Sequence, residues 1–339
     1  MAADVRKIGL LVNPIAGMGG RVGLKGTDGA QILAQSRALG AKPKACARAR
    51  DAFAYLCALP SDSDILTVSD NMGENATQRI GLKATIIERD TKDESTAIDT
   101  INAVRAFEEQ GVELILFAGG DGTARDILGV VGERVPVLGI PSGVKMHSSV
   151  FATGPKAAGR LATKYALGDR TGVTLERAEV MDIDEEAQRE NRLSARLYGY
   201  AQVPFERNMI QSAKAAGRPS EENTLRQLAA EIAREMDAET SYIFGPGTST
   251  NMILENLDLE GTLLGVDVVQ NGKIIAKDAN EAQMLALPVV SPIKIILGVV
   301  GGQGFILGRG NQQISADVIR RAGAENVEFI SSIEKLISL

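Results

Sequence analysis

The sequence predicts two domains, an α/β domain built on a parallel sheet and then a β-rich domain. Three observations predict this. The chain has 339 residues, enough for two domains of ordinary size. Over residues 1–150, short apolar runs alternate with helical patterns, as parallel strands joined by helices require. After about Ala166 the texture changes to strand pairs and hairpin signals. The expected division is 1–150 for the α/β domain and 151–314 for the β-rich domain. Residues 315–339 form a closing segment expected to return to the first domain.

The elements follow in order. Lys7–Val12 is an apolar run that ends in Asn13-Pro14, so it reads as a buried strand. A Gly-rich loop comes next, then a helix from about Gly29 to Leu39, stopped by Gly40. Ala47–Leu59 is a second helical pattern, stopped by Pro60. Asp64–Val68 and Ala84–Ile87 are strands, and Glu94–Gln110 is a long helix closed by Gly111. The acids and hydroxyls of Asp93–Asp99 suit that helix's N-terminus. Glu113–Ala118 and Val135–Ile140 complete the first set of strands. In the second half, Val173–Asp184 and Leu193–Phe205 pair across the charged Glu185–Asn191, and Glu221–Met236 is an amphipathic helix. Leu263–Gln270 and Lys273–Lys277 flank Asn271-Gly272, a hairpin signal because both positions tolerate positive φ. Ser315–Leu339 reads helix–strand–helix.

Composition narrows the function classes. The formal net charge is −6, which argues against a broad electrostatic grip on nucleic acid. With no Trp and few aromatics there is no stacking platform for single strands. Leu285–Val300 is cut by Pro288, Pro292 and Lys294, and no run approaches the roughly 18 apolar residues of a spanning helix. No secretory pattern opens the chain, and Cys46 and Cys57 read as reduced thiols, so a soluble cytoplasmic protein is expected. His147 is the only histidine and there is no Cys-x-x-Cys, which leaves no basis for a zinc site. The absence of G-x-S-x-G leaves none for a serine hydrolase elbow.

The strongest chemical signal is Gly119-Gly120-Asp121-Gly122-Thr123, between an apolar strand and a helix beginning near Ala124. The first N–H groups of a helix lack intrahelical partners and carry partial positive charge, and glycines let a phosphate approach the backbone. Asp121 would place a carboxylate beside the phosphates, to accept a hydroxyl proton or help hold a metal. Thr123 offers a hydroxyl to a phosphate oxygen. A plain strand–helix turn capped by Asp121 is the structural alternative. Asn13–Gly20 follows the first strand and is expected on the same sheet edge, with Asn13, Gly17, Gly19 and Gly20 as candidate phosphate contacts. A ligand-free Gly-rich connection is its alternative. The spacing fits neither G-x-G-x-x-G nor a P-loop. Lys145 is a candidate phosphate partner, and His147 reads as structural. In Gly301–Gln312, Arg309 could bind a phosphate or carboxylate in bidentate fashion, and Asn311 adds hydrogen-bonding capacity, unless the segment is only a glycine-bent hairpin.

Strand–Gly119–Thr123–helix, with an Asn-Pro loop after the first strand, resembles the NAD kinase, diacylglycerol kinase and sphingosine kinase superfamily. Val137–Phe151 is similar to the stretch that follows this motif there. Tyr242–Met252 is similar to the NAD kinase strand leading into a Gly-Ser-Thr-Ala-Tyr-type loop, whose place Gly247, Thr248, Ser249 and Thr250 take. Met72-Gly73-Glu74, Asp278-Ala279-Asn280-Glu281 and Gly301–Gln312 resemble the ATP-NAD kinase-like branch, similar to acetoin catabolism protein X. The resemblance implies the NAD kinase-like two-domain fold, with a parallel α/β N-terminal domain and a β-sandwich-like C-terminal domain. It implies a kinase that uses ATP (or polyphosphate) and Mg²⁺, with NAD the acceptor, Asp121 the essential residue and Gly247–Thr250 on the substrate side. Small nucleotides are then the partners, with neither nucleic acid nor membrane, and the protein is expected to be a homo-oligomer. One departure stands out. NAD kinases carry an Asn-Glu pair early in the second domain, whereas Leu197–Phe205 has none and Gln202 and Glu206 are the nearest polar residues. The alternative is a nucleotide-binding regulatory protein without catalysis.

Overall fold

The computed structural model describes residues 5–22, 30–89, 94–143, 146–168, 172–183, 195–206, 209–210, 219–288, 291–299, 306–307, 310–332 and 336. The chain divides into two compact units: 1–18, 42–183 and 195–213 form one, and 19–41, 184–194 and 214–339 form the other.

The first unit is built on five strands, β1 (Ile8–Val12), β2 (Ile65–Val68), β3 (Thr85–Ile87), β4 (Leu114–Gly119) and β5 (Val137–Pro141). They are parallel and ordered β3-β2-β1-β4-β5. Every residue of β1, β2, β4 and β5 is buried, as a sheet covered on both faces demands. α2 (Ala45–Phe53), α4 (Ala97–Glu109), α5 (Asp121–Val131) and α6 (Pro155–Ala166) supply that cover, with the short α3 (Glu74–Gln78) after β2. Asp99 accepts a 2.7 Å bond from the Thr96 N–H, so the acid-rich start of α4 is a cap, as the sequence predicts. Phe53, Phe107, Phe117 and Phe151 fill the core, the last two edge to face at 5.5 Å. The sheet order reverses between β1 and β4, and the carboxyl ends of such neighbours are where doubly wound sheets bind ligands.

The predicted strand pair is present as β6 (Thr174–Ile183) and β7 (Ala195–Phe205), antiparallel, with a register shift at Val180/Met181. Ala178, Val180, Ala201 and Val203 share the first unit's core, so this hairpin belongs there. The sequence expectation instead puts the boundary at residue 150. Residues 19–41, including α1 (Ala30–Ala38), group with the second unit instead.

The second unit carries a mixed sheet of β8 (Ser241–Phe244), β9 (Asp267–Gln270), β10 (Lys273–Ala276), β11 (Ile293–Gly298) and β12 (Val327–Ile330), ordered β10-β9-β8-β11-β12. β8, β11 and β12 run parallel, while β9 and β10 form the predicted hairpin, with φ of 49° at Asn271 and 66° at Gly272. Its helices are α7 (Pro219–Glu235), α8 (Thr248–Asn256), α9 (Glu281–Leu285) and α10 (Ala316–Ala322). The closing segment, expected to return to the first domain, groups with the second unit. Val318 and Ala322 join the core of the second sheet, and β12 pairs with β11. Among the described residues, no helix is long and apolar enough to cross a membrane. Both cysteines are free thiols.

Candidate functional site

Three loops interlock at the carboxyl ends of β1, β4 and β5, and glycine lets them. The Asn13 N–H extends the ladder onto Ala118 O at 2.9 Å. Gly17 sits at φ 74°, and a Cβ there would lie 1.9 Å from Ser142 O. A Cβ on Gly143 would lie 2.9 Å from Gly120 Cα, and one on Gly120 would lie 3.2 Å from Gly143 Cα. Gly119 O accepts the N–H groups of Ser142 (2.9 Å) and Gly143 (3.1 Å). The backbones therefore touch where side chains would hold them apart. Arg48 on α2 donates to Pro141 O at the end of β5, where the third loop begins.

The motif itself opens α5. Gly120 is its N-cap in extended conformation, and Asp121, Gly122 and Thr123 are the first helical residues, whose N–H groups have no partner four residues back. Asn13 Nδ2 donates to Thr123 Oγ at 3.0 Å, while Asn13 Oδ1 accepts from the Ile15 N–H at 3.3 Å. The Thr123 hydroxyl is thus oriented as an acceptor toward Asn13 and keeps its own proton to donate.

Asp121 is only 5% exposed. Its Oδ2 accepts from the His147 N–H at 2.6 Å and its Oδ1 from the Ser148 N–H at 3.0 Å. Burial pushes its carboxyl up to about 6, against the pull of these bonds, and the nearby Asp182 carboxylate adds to the rise. Ser148 extends the chain of contacts. Its Oγ donates to Met181 O (2.8 Å) and accepts from Met181 N–H (3.0 Å), which ties β6 to the motif. The next residue, Asp182, accepts from Arg125 Nη1 at 2.7 Å, and Arg125 Nη2 also reaches Asp126 at 3.4 Å. The Arg125 guanidinium lies 5.6 Å from the centre of the Tyr198 ring.

The structure thus brings Asn13, Gly17, Gly119, Gly120, Asp121, Gly122 and Thr123 together in the first unit. Gly19 and Gly20 fall in the short 3₁₀ turn Met18–Val22 and group with the second unit, where a Cβ on Gly20 would meet Gln312 Oε1 at 2.7 Å. Lys145 and Arg309 lie outside the described residues.

In the second unit, Gly247 caps α8 at φ 134° and donates to Leu263 O at 2.9 Å. Thr248 is exposed at the start of that helix, whereas Ser249 and Thr250 are buried. Thr250 Oγ donates to Gly245 O at 2.6 Å and also lies 3.0 Å from Gly247 O, so it shapes the loop. Asn311 Nδ2 donates to Ile306 O at 3.0 Å. Two further motifs have structural accounts. Asn280 caps α9 by accepting from Gln283 N–H at 3.0 Å. Gly73, at φ 152°, leaves no room for a Cβ, which would sit 2.0 Å from Thr67 Oγ, and Glu74 accepts from Asp70 N–H at 2.8 Å.

Sequence reasoning missed Arg48, Arg125, Ser148 and Asp182. Arg125 and Asp126 come one residue after the motif, with Arg125 one turn from Asp121, and that spacing is a usable signal. Asp182, 57 positions after Arg125, carries no local signal at all.

Residues 8–169 match the ATP-NAD kinase N-terminal domain, and residues 237–331 match the ATP-NAD kinase C-terminal domain. No curated protein matches the chain. Among solved structures it is similar to "Crystal structure of a putative diacylglycerol kinase from Bacillus anthracis str. Sterne", at 16% identity and a TM-score of 0.26. That likeness covers 52% of this chain and 43% of the other, and is too slight to carry an argument.

Proposed function

Since the chain belongs to the ATP-NAD kinase family, we propose that it transfers the γ-phosphoryl group of ATP to a hydroxyl of a small molecule, with NAD as the acceptor. The observation that carries this reading is the junction at Gly119–Thr123. The first N–H groups of α5, which have no partner four residues back, lie there beside loops that Gly17, Gly120 and Gly143 let pack backbone to backbone. Such a cradle fits nucleotide phosphates, because backbone donors and the helix dipole both favour an anion. The Thr123 hydroxyl, turned by Asn13, would donate to a phosphate oxygen.

The described residues contain no group of three or more His, Cys, Asp or Glu able to hold a metal. Magnesium fits here as an ion held mainly through nucleotide phosphates and water. When bound, it would supply positive charge that offsets the charge developing on the donor phosphates. The chain's own contribution is positioning: the loops fix the donor, and Asp121 fixes the loops through His147 and Ser148. The same reading includes a cytoplasmic homo-oligomer, which sedimentation of the purified chain would check.

A second reading, a nucleotide-binding regulator without catalysis, draws support from Leu197–Phe205, which lacks the Asn-Glu pair of NAD kinases. One experiment separates the two. The purified chain is incubated with Mg²⁺, ATP or polyphosphate, and NAD or a panel of other hydroxyl acceptors, and phosphorylated product is measured. Turnover supports the kinase. Tight nucleotide binding with no turnover supports the regulator, and neither binding nor turnover sinks both.

A further inference from the structure

We propose that the cavity between α2 and α6 in the first unit binds an aromatic monocarboxylate, at a site separate from the phosphate loops. Gly159 of α6 brings the two helices together, since a Cβ on it would lie 2.2 Å from Ala52 O and 2.9 Å from the Tyr55 ring. Lys156, one turn earlier on α6, then stands beside the end of α2 and the 3₁₀ turn Ala54–Ala58 that follows it. A cavity of about 480 Å³ opens there, lined by Arg50, Asp51, Ala54, Tyr55, Ile80 and Lys156. That volume falls within the range of small-ligand sites.

The lining defines the occupant. Among the described residues, the side chains of Arg50, Tyr55 and Lys156 make no hydrogen bond or ion pair with the protein. Their N–H and O–H donors face one cavity and suit the oxygens of a carboxylate. Asp51 lies close enough to Arg48 for their charges to interact. Two cations and one carboxylate leave the lining with a net single positive charge, which one negative charge balances. A chain of phosphates would instead set several charges against Asp51. The remaining lining is apolar, from Ala54, Ile80 and the Tyr55 ring. Gly159 packs against that ring, and the Arg160 guanidinium lies 5.5 Å from its centre, so the ring is held in place. A held ring offers its free surface to a flat apolar body.

The geometry of α2 separates this site from the phosphate loops. Arg48 reaches Pro141 O at the end of β5, whereas Arg50 is two residues later and so turned about 200° around the helix axis.

The test uses the full chain with benzoate as the probe, followed by saturation-transfer NMR and calorimetry. Wild type should bind benzoate saturably, with a Kd in the millimolar range or tighter. Arg50→Gln and Lys156→Gln should each weaken it about tenfold, the usual worth of one hydrogen bond to a charged group. Tyr55→Leu should weaken it several-fold. Arg105→Gln, which removes an exposed charge on α4, should leave it unchanged. Circular dichroism checks the fold of each variant. Two analogues test the wild type by itself: neutral benzamide and dianionic phthalate should each bind about tenfold more weakly or worse. Excess ADP should leave benzoate bound. The proposal is overturned by an absence of saturable binding, by benzamide or phthalate binding as well as benzoate, or by Arg50→Gln and Lys156→Gln behaving like wild type. Equal weakening in Arg105→Gln also overturns it, as the mark of unspecific attraction. So does displacement by ADP, which puts the probe in the phosphate loops.

Discussion

The Asp121→Asn variant should reverse its stability relative to wild type as pH changes. Asp121 has a folded carboxyl pKa of about 6, raised from the unfolded value of 3.8 by burial. A raised carboxylate means that the folded state binds the proton more tightly than the unfolded state. Its stabilising effect is fully present below the unfolded pKa and is lost as pH rises through the folded one. The shift of about two pKa units corresponds to about 3 kcal/mol over the whole window, of which about 2 kcal/mol falls between pH 4.5 and pH 7. Asparagine cannot ionise, so it escapes that loss. It does incur a fixed cost, because its NH₂ group faces one of the two N–H donors of His147 and Ser148. That clash costs about 1–3 kcal/mol at any pH. The assay is urea denaturation of both proteins at pH 4.5 and pH 7. The difference between variant and wild type cancels the titration of groups that do not interact with Asp121. It should move in the variant's favour by about 2 kcal/mol from pH 4.5 to pH 7. A change under about 0.5 kcal/mol, or one of opposite sign, would show that Asp121 is not strained by ionisation and that the burial argument is wrong.

Other consequences are simpler. Gly17→Ala would place a Cβ 1.9 Å from Ser142 O at φ 74°, so it should destabilise by more than about 1 kcal/mol and weaken ATP binding, read by denaturation and calorimetry. Asn13→Ala removes the bond that turns the Thr123 hydroxyl, and should raise the ATP KM several-fold with little change in thermal midpoint. Phe151→Ala empties a fully buried ring site against Phe117 and should cost about 3–5 kcal/mol in a denaturant titration, while the nucleotide affinity of the folded fraction is retained.

Much of this was legible in the sequence because its signals are local. The apolar runs of β1, β4 and β5 are buried on both faces of the sheet, which is what a continuous apolar run means. Asn271-Gly272 makes its turn with two positive φ values because its residue types permit them. Gly119–Thr123 sits at a strand–helix junction because glycine suits the cap and an acid suits the first helical turn. The grouping of segments is less local. Sequence order allots the hairpin β6–β7, residues 19–41 and the closing segment 315–339 by position along the chain, whereas membership of a unit depends on which core the apolar side chains enter.

Asp121 shows the division most clearly. Its type and its place at the strand–helix junction put a carboxylate in the first turn of α5, and the sequence alone supports that much. Only the folded chain directs both of its oxygens to the N–H groups of His147 and Ser148, and only the fold brings Asp182 from β6 to Arg125 beside Gly122. Helix caps and turns depend on neighbours within a few residues, so residue type decides them. The direction of a buried carboxylate depends on donors far along the chain, and these come within reach only when strands and loops pack.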